Sequence, residues 1–175
     1  MTPQKRNAIQ NRVDALLEEF GITAPPVPVD RIAKGLEAQL RYSPLDDELS
    51  GMIYVNEGTP IIGVNALHHP NRQRFTIAHE TGHLLYHRAA ITKEIHVDKG
   101  FPMLMRDSLS AAGVNEMEIE ANFFAAVELM PEHFLARSLQ GMVVDIDDDA
   151  AVRALAKEYK VSVAAMRFRL GNLFA

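Results

Sequence analysis

One stretch of the chain, residues 74–87 with the sequence RFTIAHETGHLLYH, restricts the fold more than any other. Its apolar residues predict a helix buried in the core, which we expect to run from about residue 71 to residue 87. His79 and His83 lie four positions apart, so on a helix their imidazole rings project from one face, one turn from each other. Unpartnered imidazoles are costly in a core. The pattern therefore predicts that the two rings share a partner.

A metal ion is the partner that this spacing indicates. Two histidines one helical turn apart can both place a ring nitrogen about 2.0–2.1 Å from a single zinc. Glu80 lies beside them, where a carboxylate can take a proton from a water molecule on the metal. The alternative is a solvated helix face on which two histidines happen to lie one turn apart. The expected number of chance matches to H-E-x-x-H is only about 0.02 per chain of this composition. The chain has no cysteine, so any metal must be held by His, Asp or Glu.

A catalytic zinc needs a third protein ligand and an open position for water. Residue 89 is alanine, so no histidine follows His83 at six residues, and His87 lies about 6 Å further along the helix axis. A second helix, predicted from about residue 115 to residue 130, is the better source. On that helix Glu118 shares a face with small alanines, which permit a close helix–helix approach. We therefore predict Glu118 as the third ligand.

Other polar residues on that helix have different expected roles. Asn122 shares the face of Glu118 and is expected to form a hydrogen bond with a zinc-bound histidine. Glu116 and Glu120 point elsewhere and are expected to face solvent. The alternative is that all three glutamates belong to an ordinary solvated helix face, in which case Glu118 is not a ligand.

Short apolar stretches between residues 39 and 65 predict a small, mostly antiparallel sheet. Its strands are expected at residues 39–42, 51–55 and 60–64. The second or the third of these is expected to form an edge to which an extended substrate adds as a further strand. A helix over residues 5–20 precedes the sheet, and Asp30 is expected to cap a short helix over residues 31–37. The predicted fold class is α+β.

The C-terminal part of the chain is predicted to be helical. The acidic run 145–149 opens one helix, because carboxylates are favoured at a helix N-terminus. Ser162 is expected to cap the last helix. We predict a core over residues 1–140 that holds the metal site, and a helical, helix-turn-helix-like appendage over residues 141–175 that packs on it.

The charge balance argues against a nucleic-acid-binding role. The formal net charge is −5, whereas a nucleic-acid footprint needs a surplus of Lys and Arg. Arg167 and Arg169 lie near the end of the chain, but residues 145–175 hold five acidic and five basic side chains, so a structural or protein-docking role is expected. No membrane span and no signal peptide are evident, so we expect a cytoplasmic protein without nucleic-acid or membrane partners.

Four stretches of the chain together resemble the ImmA/IrrE family of zinc metallo-endopeptidases. They are SGMIYVNEGTPIIGVN, RFTIAHETGHLLYH, EIEANFFAAVELMP and LAKEYKVSVAAMRFRL, and they occur in the order expected for the family. The resemblance implies His79, His83 and Glu118 as zinc ligands and Glu80 as general base, the four residues that the spacing argument selects. It also implies a minimal gluzincin-like core, with a small sheet over two active-site helices.

The expected activity is that of an intracellular zinc endopeptidase. The resemblance further implies a partner that serves as substrate, namely a helix-turn-helix repressor of the XRE type. Members of the family are expected to inactivate such a repressor during a stress response, and they are often associated with mobile elements. The alternative is a metal-binding anti-repressor that acts by docking alone. An intact Glu80 favours chemistry, because metal binding by itself does not require that carboxylate. Zinc is expected as the metal, with manganese as the alternative in the cell.

The residue that stabilises the oxyanion is left open by the sequence. His96, Tyr54 and Tyr86 are each candidates. Residues 90–112 have no clear periodicity and predict a long loop, with one short strand at about residues 94–97. Such a loop is a candidate docking or gating element, and a cap over the core is the alternative.

Overall fold

The computed structural model describes residues 1–91, 96–98, 116–139 and 148–174. The elements found in these ranges are α1 (Pro3–Glu19), α2 (Val29–Gly35), β1 (Gln39–Ser43), β2 (Gly51–Asn56), β3 (Thr59–Asn65), α3 (Pro70–Tyr86), α4 (Arg88–Ile91), β4 (His96–Asp98), α5 (Glu116–Leu129), α6 (Glu132–Leu139), α7 (Asp149–Tyr159) and α8 (Val163–Phe174). The fold is α+β with a helical C-terminal end, which confirms the predicted class. None of the helices in the described ranges combines the length and the apolar character that a membrane span requires.

The sheet has four strands in the order β1-β3-β2-β4. β1 pairs with β3 in parallel, whereas β2 pairs in antiparallel fashion with both β3 and β4. The sheet is therefore mostly antiparallel, as predicted. Glu57 and Gly58 form the turn between β2 and β3 with φ values of 49° and 82°. Positive φ at both central positions matches the right-handed twist of a tight hairpin.

The prediction that β2 or β3 forms an edge of the sheet is wrong. β3 is central, because β1 pairs along one of its sides and β2 along the other. β2 pairs with β3 throughout and with β4 over Gly51–Ile53. The parallel pairing of β1 and β3 skips the strand between them in sequence, and hydrophobic periodicity carries no information about such a non-local pairing.

The start of α2 also differs from the prediction. The helix begins at Val29, directly after Pro28, and no side chain caps it. Asp30 is therefore not the N-cap but lies in the first turn, where its carboxylate faces the positive end of the helix dipole. It forms an ion pair with Lys34 one turn later, at 3.7 Å.

α3 lies at the centre of the core and positions the site. It packs against α5, against β2 and β3, and against α2. Every residue from Thr76 to Leu84 is buried, including polar residues that are rarely found inside a protein. Pro70 occupies the first turn of α3, and His69 Nδ1 accepts a hydrogen bond from the backbone N–H of Asn71. The helix thus starts where proline is best tolerated.

The C-terminal helices α7 and α8 contact the rest of the molecule. Asp148 caps α7 by accepting from two backbone N–H groups, and Ser162 Oγ accepts from the backbone N–H of Ala165 at the start of α8, as predicted. Arg169 Nε donates to the carbonyl oxygen of Met130, directly after α5. The boundary proposed at residue 140 lies outside the described residues, and the division into core and appendage stays a prediction.

Candidate metal centre

His79 and His83 project from the same face of α3, as their spacing predicts. Both side chains are buried, at 0% and 1% exposure. Their Nε2 atoms lie 3.0 Å apart, and the two ring planes are inclined at 70°. The two nitrogens therefore point toward one shared position.

Glu118 reaches that position from α5. Its two carboxyl oxygens each lie 3.3 Å from a ring nitrogen, one from His79 Nε2 and the other from His83 Nε2. One ligand atom from each of the three residues can be chosen so that all lie within 4.8 Å of one another. Within the described part of the chain, His79, His83 and Glu118 form a group that could hold a metal ion.

The close approach of α3 and α5 depends on two small residues. A Cβ atom built on Gly82 would lie 3.0 Å from the Cα atom and 3.3 Å from the carbonyl oxygen of Ala121. It would also lie 3.3 Å from the Cβ atom of Phe124. Real Cβ atoms seldom approach backbone atoms so closely, so even an alanine at Gly82 would press the helices apart. The contact lies at Ala121, one of the alanines expected to permit a close approach, and the need for glycine at position 82 was not predicted from the sequence.

Asn122 makes the contact that the sequence predicted for it. Its Oδ1 atom lies 2.9 Å from His79 Nδ1. An amide oxygen only accepts, so the His79 ring donates from Nδ1 and keeps the lone pair on Nε2. This is the tautomer in which Nε2 can bind a metal ion.

Glu80 is fully buried on the next position of α3, where the helix passes β2. A Cβ atom on Gly51 would lie 3.8 Å from the Oε1 atom of Glu80 and only 2.3 Å from the Cγ2 atom of Thr76. Glycine at position 51 thus lets β2 approach α3 beside the Glu80 carboxylate. The need for glycine at position 51 was not predictable from the sequence, because it arises only from the packing of the strand on the helix.

The expectation that Glu120 faces solvent is wrong, whereas Glu116 is exposed as predicted. Glu120 is 3% exposed, accepts a hydrogen bond from His87 Nε2 at 3.1 Å and forms an ion pair with Lys5. Burial alone would raise the pKa of Glu120, but hydrogen bonds from Lys5 and His87 bring that pKa below its usual value. Burial lowers the pKa of His87, against the opposing effect of Glu120. α1 packs on α5 and covers Glu120, a contact between distant parts of the chain.

Comparison with protein families decides where this chain belongs. Residues 33–171 match the model of the Peptidase_M78 family, described as the IrrE N-terminal-like domain. The chain belongs to this family. The M78 match covers β1 to β4, both helices that carry the candidate metal ligands, and most of α8.

The M78 chain also matches a solved structure in fold. That structure is a Mycobacterium tuberculosis transcriptional regulator, with a TM-score of 0.62 at 14% sequence identity. The match covers 99% of this chain and 48% of the regulator, so this chain spans about half of the regulator's length. A search of curated proteins found no match.

The three oxyanion candidates of this M78 chain lie in different places. Gly51 faces α3, and Ile53 lies on the same side of β2 because side chains alternate along a strand. Tyr54 therefore points to the opposite side of the sheet. The Tyr86 ring packs against Phe124, at 6.0 Å between ring centroids, and burial raises the pKa of Tyr86.

His96 pairs with Ile53 in the register of β4 with β2, and its side chain lies outside the described part of the chain. The short strand predicted near this position is present as β4. Most of the predicted loop over residues 90–112 also lies outside the described residues, and its docking role stays a prediction.

Proposed function

We propose that this M78 chain is a cytoplasmic zinc-dependent endopeptidase whose substrate is a helix-turn-helix repressor of the XRE type. The observation that carries the proposal is the convergence of His79, His83 and Glu118 on one position, with the buried Glu80 on the same helix as the histidines. Membership of a peptidase family supports the reaction class. The repressor substrate is supported by the family resemblance.

The donor set fits zinc. Two imidazole nitrogens and one carboxylate are the ligands of the catalytic zinc in many metallopeptidases, and three protein ligands leave a position for water. Calcium and magnesium prefer sites made of oxygen atoms alone. The hydrogen bond of His79 Nδ1 to Asn122 keeps Nε2 available, as a metal ligand requires.

The roles of the protein groups follow from this arrangement. A zinc ion held by the three ligands would supply Lewis acidity, which acidifies water and polarises a peptide carbonyl. Glu80 accepts the proton of the attacking water while the new C–O bond forms at the carbonyl carbon. Glu80 then delivers this proton to the amine nitrogen as the C–N bond breaks. Because Glu80 is fully buried, bulk water competes little for its proton.

The general-base role is tested by Glu80→Gln, which keeps the size of the side chain but removes the proton acceptor. We expect the variant to retain zinc and to lose cleavage of a repressor encoded beside this gene by at least about a hundredfold. Zinc is measured by elemental analysis after dialysis, and cleavage by mass spectrometry of the products. Cleavage at the wild-type rate would rule out Glu80 as the base. If wild type and Glu80→Gln relieve repression equally without cleavage, the docking alternative is correct.

The ligand assignment is tested by Glu118→Ala against Glu116→Ala. Both residues lie on α5, but Glu116 is exposed and Glu118 contacts both histidines. We expect Glu118→Ala to lose tightly bound zinc and Glu116→Ala to keep it. Full zinc content in a folded Glu118→Ala protein would show that the third ligand is another residue. Parallel titrations with zinc and manganese identify the preferred metal.

A further inference from the structure

A series of contacts leads from the candidate metal centre to the N-terminal helix α1. His83 Nδ1 lies 3.0 Å from His87 Nδ1 on the side of the ring away from Glu118. His87 Nε2 lies 3.1 Å from Glu120 Oε2, and the other oxygen of Glu120 forms an ion pair with Lys5 Nζ. His83, His87 and Glu120 are buried, whereas Lys5 is exposed. Three helices therefore contribute to one connected set of polar groups.

The donor in each of these contacts follows from the chemistry of a metal-bound histidine. A His83 ring that binds a metal through Nε2 keeps its proton on Nδ1 and donates it to His87 Nδ1. His87 then carries its own proton on Nε2 and donates it to Glu120. The Glu120 carboxylate accepts there, and it accepts from Lys5 at its second oxygen. One assignment of protons thus satisfies every contact in the set.

We propose that His87, Glu120 and Lys5 are positioning residues, which hold the His83 ring in the tautomer and rotation that present Nε2 to the metal. The inference rests on the metal-binding part of the proposed function and not on proteolysis. Partners of this kind contribute to metal affinity by fixing the orientation of a ligand before the metal binds.

Lys5 lies on α1, outside the part of the chain that matches the family model. α1 covers Pro3–Glu19, whereas the family model matches residues 33–171. A helix outside the matched region therefore supplies the last member of the set. We expect any change that removes α1 from α5 to weaken metal binding through Glu120.

A purely structural role for these residues makes a different prediction. If they only join α1, α3 and α5, their loss lowers the free energy of unfolding but leaves the zinc affinity of the folded protein unchanged. If they position His83, the zinc affinity falls and the ligand geometry changes. Zinc affinity and the visible spectrum of the cobalt-substituted protein separate the two roles.

The central comparison is His87→Phe against His87→Asn in the full chain. Phenylalanine removes both hydrogen bonds, whereas the Oδ1 atom of asparagine can replace Nδ1 as the acceptor for His83. We expect zinc affinity, measured by competition with a chromophoric chelator, to fall about 10–100-fold in His87→Phe and to recover most of this loss in His87→Asn. The cobalt spectrum should shift in His87→Phe and return toward wild type in His87→Asn.

Two further variants test the outer members, with Glu116→Leu as the control on the same helix. Glu120→Leu removes the group that accepts from His87, whereas glutamine would keep an accepting amide oxygen, and we expect about a tenfold loss of zinc affinity. Lys5→Met should cause a smaller loss, because Lys5 is exposed and its charge is screened. Glu116→Leu should bind zinc as wild type does.

Wild-type affinity and spectrum in folded His87→Phe and Glu120→Leu would overturn this inference. If His87→Phe does not fold, Glu120→Leu decides: wild-type zinc affinity in Glu120→Leu refutes the chain of contacts. A wild-type protein that binds no zinc would instead overturn the proposed function, and with it this inference. If the wild-type protein binds zinc and the variants bind it with the same affinity, only the positioning role is overturned.

Discussion

Glu128 on α5 allows a quantitative test of how burial controls the stability of this fold. Its side chain is fully buried, and within the described part of the chain neither carboxyl oxygen has a hydrogen-bond partner. Burial raises the pKa of Glu128 from 4.5 to about 8, although the nearby Arg74 guanidinium opposes the rise. Glu128 is therefore a neutral carboxylic acid in the folded protein at pH 7.

The magnitude follows from the difference between the folded and unfolded states. The unfolded chain releases this proton near pH 4.5, whereas the folded protein keeps it until about pH 8. Between these values the folded state binds more protons, so the free energy of unfolding falls as the pH rises. One pKa unit corresponds to about 1.4 kcal/mol, which gives a total loss of about 4–5 kcal/mol. This stabilisation is fully present below the lower pKa and is lost as the pH rises through the upper one.

The variant Glu128→Gln removes this titration and keeps the shape of the side chain. We expect the free energy of unfolding of Glu128→Gln, minus that of wild type, to increase by about 4 kcal/mol between about pH 5 and about pH 9. Urea unfolding followed by circular dichroism, in buffer that contains a chelator, measures the difference at each pH. Glu18→Gln, on an exposed position of α1, is the matched control and should show no such trend.

A difference that stays constant across the pH range would refute the reasoning. In that case Glu128 would be ionised at neutral pH in the folded protein, with its charge stabilised by Arg74. Glu128→Gln would then be less stable than wild type at every pH, because the Arg74 charge would lose its buried partner.

Three further substitutions test the local geometry. Gly82→Ala places a Cβ atom 3.0 Å from the Cα atom of Ala121. We expect the free energy of unfolding to fall by about 1–3 kcal/mol and zinc affinity, measured by chelator competition, to decrease. Wild-type zinc affinity would contradict the expected shift of α3 away from α5. Lys160 ends α7 with φ 52°, so Lys160→Gly should raise the unfolding free energy by about 0.5–1 kcal/mol; a lower melting temperature would disprove it. Asp148→Ala removes the cap of α7 and should cost about 1 kcal/mol, with Asp148→Ser restoring the loss in thermal unfolding.

Local features of this protein were predictable because they depend on residues close together in sequence. The helical spacing of His79 and His83 places both rings on one face whatever else the chain does, because it follows from the pitch of a single helix. For the same reason Glu118 and Asn122 share a face of α5, and both side chains contact the histidines. The positions of the first three strands, the acidic start of α7 and the Ser162 cap of α8 also follow from short-range patterns.

Features that depend on distant partners needed the tertiary structure. The glutamates on α5 look alike in sequence, yet Glu120 is buried because α1 covers it and Lys5 supplies a counter-charge. The order of the strands likewise depends on β1 pairing beside β3 rather than beside its neighbour in sequence. Which surfaces pack together when the chain folds decides whether a charge is buried and which strands pair. The sequence by itself determined which faces of the two helices carry the candidate metal ligands, and only the tertiary packing decided which other side chains contact them.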